Sequence, residues 1–480
     1  MTRHASRRWL SSARANESVA MARDVTDKTF ITSRDELVAW LEAGTKPREQ
    51  FRIGTEHEKI PFYRSGHSPV PYEGKPANGQ GGIRALLEGM QKSLGWAPVT
   101  DGPHIIGLYD ATSGAGLSLE PGGQFELSGA PIETIHQTGA ELDSHFLALK
   151  TVAAPLGIGF LSLGMSPKWQ RDEIPLMPKH RYAIMAKYMP KVGSQGLDMM
   201  FRTCTVQANL DFSSEADMVK KLRVSLALQP VATALFANSP FTGGKLNGFV
   251  SARSEIWRHT DAARTGMLPF AFEDGMSFER YVDYALSVPM YFVKRGDIYH
   301  DVAGADFRDL LRGKLAALPG EHATLADWAN HLSTIFPEVR LKRYLEMRGA
   351  DAGPRPFLTA LPAFFAGLLY DPSSLDAAWD MVKNWSEAAR EKLRAEVPRA
   401  GLAAAIGGRP LGEVAAEVLR IARAGLAKRN RCDARGNDET LFLDPLDAVL
   451  AETSEASRLI TKFRTQWAGS VEPAFEECVY

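Results

Sequence analysis

Residues 52–59, Arg52-Ile53-Gly54-Thr55-Glu56-His57-Glu58-Lys59, place two carboxylates two positions apart just after a glycine. The stretch reads as a strand, in which residues i and i+2 share a face, so Glu56 and Glu58 point the same way. Two like charges side by side cost free energy unless a cation lies between them. Magnesium suits that position, because it takes oxygen ligands and works with phosphates. Standing alone, the pair reads more simply as charges on a solvent-facing edge strand. His57, between the two, falls on the opposite face and reads as structural.

The pattern recurs, and recurrence favours the metal. Across residues 117–128 (LSLEPGGQFELS), Leu117, Leu119, Phe125 and Leu127 alternate with polar residues that include Glu120 and Glu126. Pro121-Gly122-Gly123 marks a turn between two short strands. Across residues 203–211, Thr203, Thr205, Gln207, Asn209 and Asp211 alternate with Cys204, Val206, Ala208 and Leu210. Across residues 338–348, read as one strand, Glu338, Arg340, Lys342, Tyr344, Glu346 and Arg348 share a face, and Arg343 breaks the apolar side. An antiparallel sheet with one face on a core shows this alternation. Here the polar face is rich in Glu, Gln, Asn, Arg and Thr. Such a floor has carboxylates to hold Mg²⁺ and guanidinium groups to hold phosphate, which points to nucleotide-dependent phosphoryl chemistry.

The 480-residue chain can bury a large core in two or three lobes. Its net charge of −1 gives no general attraction to nucleic acid or an anionic membrane. No apolar run approaches the roughly 18–20 residues that span a bilayer. The three cysteines fit neither a disulfide framework nor a zinc site. Cys204 reads as a buried core thiol, whereas Cys432 and Cys478 lie in polar surroundings and are expected to be exposed. Residues 1–23 are rich in Arg, Ser and Ala with one acid, Glu17. That composition suits a transit peptide and organellar import, or a disordered extension of a cytoplasmic protein starting near Met21; the second is taken as the expectation.

Helices are expected from Ser33, with Glu36 in the capping-box position, and at 82–94, 133–154, 178–189, 215–228, 278–288, 322–334 and 358–368. Beyond residue 372 strands give way to helical patterns at 373–396, 411–427 and 445–467. The expected organisation is an α+β catalytic body over 24–370 and a helical C-terminal region over 371–480 packed on it. There is no G-x-x-x-x-G-K-[ST], H-E-x-x-H or G-x-S-x-G. Gly79-Gln80-Gly81-Gly82 lacks a preceding strand and reads as a flexible loop.

Several ordered segments between residues 51 and 351 resemble the plant-type glutamate–cysteine ligases: RIGTEHEK (52–59), LEPGGQFELSGAP (119–131), HRYAIMAKYMPKVG (180–193), DMMFRTCTVQANLDF (198–212), RSEIW (253–257) and RYLEMRGAD (343–351). The resemblance implies the curved, mainly antiparallel sheet of the glutamine synthetase and guanidino kinase superfamily. It implies ATP-dependent coupling of glutamate to cysteine through a γ-glutamyl phosphate, with Mg²⁺ and ATP bound and glutathione as the eventual product. It further implies Glu56, Glu58, Glu120, Glu126, Gln207 and Glu346 as metal ligands, Gln207 the weakest. Arg181, Arg253 and Trp257, with Thr203 and Thr205, fall in motifs resembling the glutamate pocket. Arg348, and less strongly Arg340, would meet the transferring phosphoryl group. The implied partners are these small molecules alone, for a monomer or homodimer. Two alternatives stay open: another ATP-dependent carboxylate–amine ligase with a different acceptor amine, and a nucleotide-binding regulatory protein without catalysis.

Overall fold

The computed structural model describes residues 27–75 and 80–480; the readings of residues 1–23 and of Gly79 lie outside the described residues. The described residues build a nine-stranded sheet. Its strands are β1 (Ile53–Tyr63), β2 (Ala97–Asp101), β3 (His104–Tyr109), β4 (Gly116–Leu119), β5 (Phe125–Ser128), β6 (Ile158–Leu161), β7 (Thr205–Leu210), β8 (Val339–Leu341) and β9 (Leu345–Asp351). In space the order is β8-β9-β7-β1-β5-β4-β3-β2, with β6 paired to the far end of β1. All these pairings are antiparallel.

One face of the sheet is closed by two helices, Glu215–Leu235 and Arg355–Leu369. Both are buried on every side over much of their length, from Val224 to Leu235 and from Phe357 to Leu369. This is why neither shows a clean amphipathic stripe. Ile53, Val206, Ala208, Leu345 and Met347 meet them in one continuous core. The same core takes in Leu375, Leu393, Val418, Leu426 and Val449 from helices beyond residue 371, so those helices and the sheet share one apolar interior.

Most expected helices are found close to their predicted bounds, for example Arg34–Glu42, Ile83–Leu94, Ile135–Ala153 and His180–Val192. Four details differ. Ser33 stands at the N-cap without a capping hydrogen bond, and Glu36 reaches back to Thr32 instead, accepting from its hydroxyl at 2.5 Å. Residues 338–348 are not one strand but the hairpin β8–β9, in which Arg340 faces Glu346 and Leu341 faces Leu345. A three-residue turn preserves the alternation, so both arms keep their polar residues on one face. Beyond residue 372 a two-residue hairpin remains, Ala405–Ile406 with Arg409–Pro410. Cys478 is buried, unlike the exposed Cys432. The last residues add to β6: Ser162 N donates to Cys478 O (2.8 Å) and Tyr480 N to Phe160 O (3.1 Å).

The pairing of β9 with β7 shifts between Met347 and Ala350, a bulge at Arg348 and Gly349. Gly349 N donates to Gln229 Oε1 (2.8 Å) and Gly349 O accepts from the Thr233 hydroxyl (2.9 Å), both on the core helix. A Cβ on Gly349 would lie 2.4 Å from Gln229 Oε1, so only glycine lets the strand sit this close.

Candidate active site

Cross-strand register gathers the predicted carboxylates. Glu56 stands opposite Ser128 on β5 and Gln207 on β7, and Glu58 stands opposite Glu126, which itself faces Ser118 on β4. Glu346 stands opposite Asn209 and Arg340. Glu120 follows β4 in a turn closed by Glu120 N to Gln124 O (2.9 Å). The side chain of Gln124 donates to Met200 O and Thr203 O, tying that turn to the entry of β7.

Glu56, Glu126, Gln207 and Glu346 are buried and Glu58 and Glu120 half-buried, which makes the carboxylate charges costly and the partners informative. Glu56 is 2% exposed; its Oε1 accepts from Asn209 Nδ2 (2.6 Å), while its Oε2 has no hydrogen-bond partner. Burial, with Glu346 and Glu126 nearby, pushes its pKa up to about 8. Glu58 accepts from Thr205 N (2.9 Å), and burial beside Glu120 and Glu126 raises its pKa well above the carboxylate range. Glu126 accepts from the Ser118 hydroxyl (2.5 Å) and is raised by burial and by Glu120. A cluster of carboxylates that resist ionisation until a cation arrives fits a site that waits for metal.

Glu346 is the opposite case. Burial acts to raise its pKa, yet Arg340, Lys342 and Arg348 hold it well below the ordinary carboxylate range. Arg340 binds it bidentately, Nε to Oε2 at 2.9 Å and Nη2 to Oε1 at 2.8 Å. Lys342 Nζ lies 3.3 Å from Oε2, and Arg348 donates to Oε1. Arg348 also donates to Gln207 Oε1 (2.5 Å). Glu346 and Gln207 are thus engaged by arginines, and among the described residues no three Asp, Glu, His or Cys side chains converge as a ready-made metal cage. The oxygen donors that fit a hard cation are Glu56, Glu58, Glu120 and Glu126.

Beside this floor opens a small cleft, about 80 Å³ in volume, lined by Glu58, Glu120, Arg181, Thr203, Thr205, Arg253, Trp257 and Arg348 among others. Eight predicted residues therefore share one cavity wall, while Glu56, Glu126, Gln207, Arg340 and Glu346 lie outside that lining. Arg253 and Arg348 each sit 5.7 Å from the Trp257 ring centroid, so both guanidinium groups lie close to the indole. Arg253 Nη2 donates to Arg348 O (2.9 Å), and its Nε is buried without a partner. The Thr203 and Thr205 hydroxyls donate to the carbonyls of Met199 (2.7 Å) and Ala350 (2.8 Å), so they shape the wall through backbone bonds.

Sequence reasoning passed over several neighbours. Asn209 and Lys342 stood in the polar alternation without being assigned a role. Tyr182, whose hydroxyl donates to Leu119 O (2.6 Å), carried a signal only in its position next to Arg181. Met199, Met200 and Phe336 line the cleft and give no polar signal at all.

Solved structures with the same fold include the glutamate–cysteine ligase of Francisella tularensis in complex with AMP (TM-score 0.52, 11% identity, 86% of this chain and 85% of that one). A bifunctional glutathione synthetase from Pasteurella multocida is similar at TM-score 0.51 and 13% identity, covering 93% of this chain and 53% of that one. These likenesses show a shared fold. Residues 52–477 match the glutamate-cysteine ligase family 2 (GCS2). Chloroplastic glutamate–cysteine ligases from Arabidopsis thaliana (52% identity, 98% of this chain, 88% of the relative) and Nicotiana tabacum (54%, 93% and 83%) are similar along almost the whole length. The chain belongs to the glutamate–cysteine ligase family 2. These relatives, and those from rice and Medicago truncatula, are chloroplastic, which overturns the expectation of a cytoplasmic protein.

Proposed function

We infer that the protein is a glutamate–cysteine ligase, catalysing the first step of glutathione synthesis. The observation that carries this is the pairing of a largely buried, partly unpartnered carboxylate cluster with an adjoining cleft lined by Arg181, Arg253 and Arg348. In the reaction, a γ-carboxylate oxygen of glutamate attacks the γ-phosphorus of ATP and ADP leaves. The cysteine nitrogen then attacks the acyl carbon, loses a proton, and phosphate departs.

Arg253, within the cleft and with an unpartnered Nε, is proposed to bind a substrate carboxylate, and Arg181 the other end of the same amino acid. Arg348 is proposed to meet the phosphoryl group, with Arg340 and Lys342 keeping Glu346 ionised beneath it. Glu56, Glu58, Glu120 and Glu126 would hold Mg²⁺. When bound, Mg²⁺ neutralises charge between the triphosphate and the attacking carboxylate. Protein groups already aimed at the site need little rearrangement as charge moves.

ADP release with ATP, glutamate and cysteine, compared with 2-aminobutyrate and other amines, tests the assignment. Cysteine should give the highest kcat/KM. A clear preference for another amine would move the protein to that ligase activity, and ATP binding without ADP release from any pair would make it a regulator. Arg253→Lys should raise the glutamate KM roughly tenfold or lower kcat to match, because lysine cannot reproduce the bidentate fork. Unchanged kinetics would remove Arg253 from the pocket.

A further inference from the structure

The helix Ala252–Arg258 carries both Arg253 and Trp257, and β9 carries Arg348. The distance between the arginines depends on how that helix is fixed to that strand. Arg253 Nη2 to Arg348 O is one point of attachment. The second is Asp351, at the end of β9 and 1% exposed. Its Oδ1 accepts from the Ser251 hydroxyl (2.8 Å), and its Oδ2 accepts from the Ser239 hydroxyl (2.6 Å) and from Asn238 N (2.9 Å).

Both serines pass the bond on to the helix. Ser251 Oγ accepts from Ser254 N (3.2 Å) as its N-cap, and Ser239 Oγ accepts from Arg253 N (3.1 Å). A carboxylate suits this arrangement, because its two oxygens accept from all three converging donors and leave both serine oxygens free to accept from the helix. The junction has no slack on its other side: a Cβ on Gly164 would lie 2.5 Å from Asp351 Cβ. Burial raises the Asp351 pKa, and Arg253 is the opposing charge.

We infer that Asp351 is a positioning residue that sets Arg253 and Trp257 in register with Arg348, and so governs glutamate affinity without touching glutamate. This rests on the reading of Arg253 as part of the glutamate pocket. Asp351→Asn keeps the shape but turns an amide toward Ser251 or toward the two donors at Oδ2. The helix is then free to shift, and a displacement on the order of 1 Å can cost up to about a hundredfold.

The test is steady-state kinetics for all three substrates, with Tm, on Asp351→Asn, on the double variant Ser239→Ala/Ser251→Ala, and on Arg253→Lys. The expected result is a glutamate KM raised about tenfold or more in the first two, with ATP KM close to the parent and Tm lowered by a few degrees through the lost cap and hydrogen bonds. If Asp351→Asn fails to fold, the serine double variant carries the test, since it leaves the carboxylate in place and removes both hydroxyl links between it and the helix. A glutamate KM unchanged in the variants that fold, with Arg253→Lys still raising it, overturns the role of Asp351 alone. A lowered Tm and kcat at constant glutamate KM does the same, because it marks a merely structural group. A glutamate KM unchanged in every variant overturns the pocket reading and this inference together.

Discussion

Glu56→Gln is expected to reduce turnover by roughly 10²–10⁴-fold at ordinary Mg²⁺, the scale seen when a group that stabilises transition-state charge is removed. Glu56 Oε2 is buried with no partner, and Glu346 and Glu126 add like charge. Within the fold Lys342 and the Asn209 amide favour that charge, and burial with the two carboxylates outweighs them. Glutamine keeps an oxygen for Asn209 Nδ2 and removes the cost of holding a buried carboxyl whose pKa is raised to about 8. The metal-free variant should therefore melt at the parent temperature or slightly higher, since a kcal/mol is worth ~2–4 °C in a chain of about 150–250 residues and less in one of this length. Loss of function with retained or raised stability marks a residue held at a cost for chemistry. Turnover within a few-fold of the parent would remove Glu56 from the site. A marked fall in Tm would make its role structural.

Arg348→Ala should lower kcat by roughly 10²–10³-fold, as expected for a preorganised cation at a transferring phosphoryl group. The fold should tolerate it. Glu346 keeps its bidentate bond to Arg340 and its contact with Lys342, and the backbone N of Arg348 still donates to Glu338 O (3.1 Å). Arg348→Lys should recover only part of the rate, since an ammonium cannot serve Glu346, Gln207 and substrate from one planar fork. Single-turnover ADP formation checks both variants, and a rate within a few-fold of the parent for Arg348→Ala would assign the phosphoryl group to another cation.

Much of this site was legible because a strand has a period of two. Once Glu56, Glu126, Gln207 and Glu346 fall on polar positions of strands that share a sheet, register can only decide which is opposite which. Pairing was where legibility ended. On a straight strand Arg340 and Glu346, six residues apart, would lie about 20 Å from each other; in the hairpin they are bonded at 2.8 Å. The turn conceals itself because Lys342 and Tyr344 continue the alternation through it. The same limit hid the state of Glu346, whose three cations meet only after the hairpin closes. Helix Glu215–Leu235 was underestimated at its C-terminal end because a segment buried all round has no polar stripe to mark where it stops. Cys478 was misjudged from its charged neighbours Glu476 and Glu477, when pairing with β6 decides its burial.

The spatial order of the strands also bears on how the protein is made. β1 must wait for β7, and β7 for the hairpin β8–β9, each far along the chain, before the central ladder closes. Such non-local pairing is slow to nucleate. During synthesis the ribosome releases Glu56, Glu58, Glu120 and Glu126 long before Arg340, Lys342 and Arg348. No nascent fragment ending before β9 can bring Arg340, Lys342 and Arg348 to the carboxylates, so the side of the site proposed to meet the phosphoryl group arrives in one late step, with the sheet.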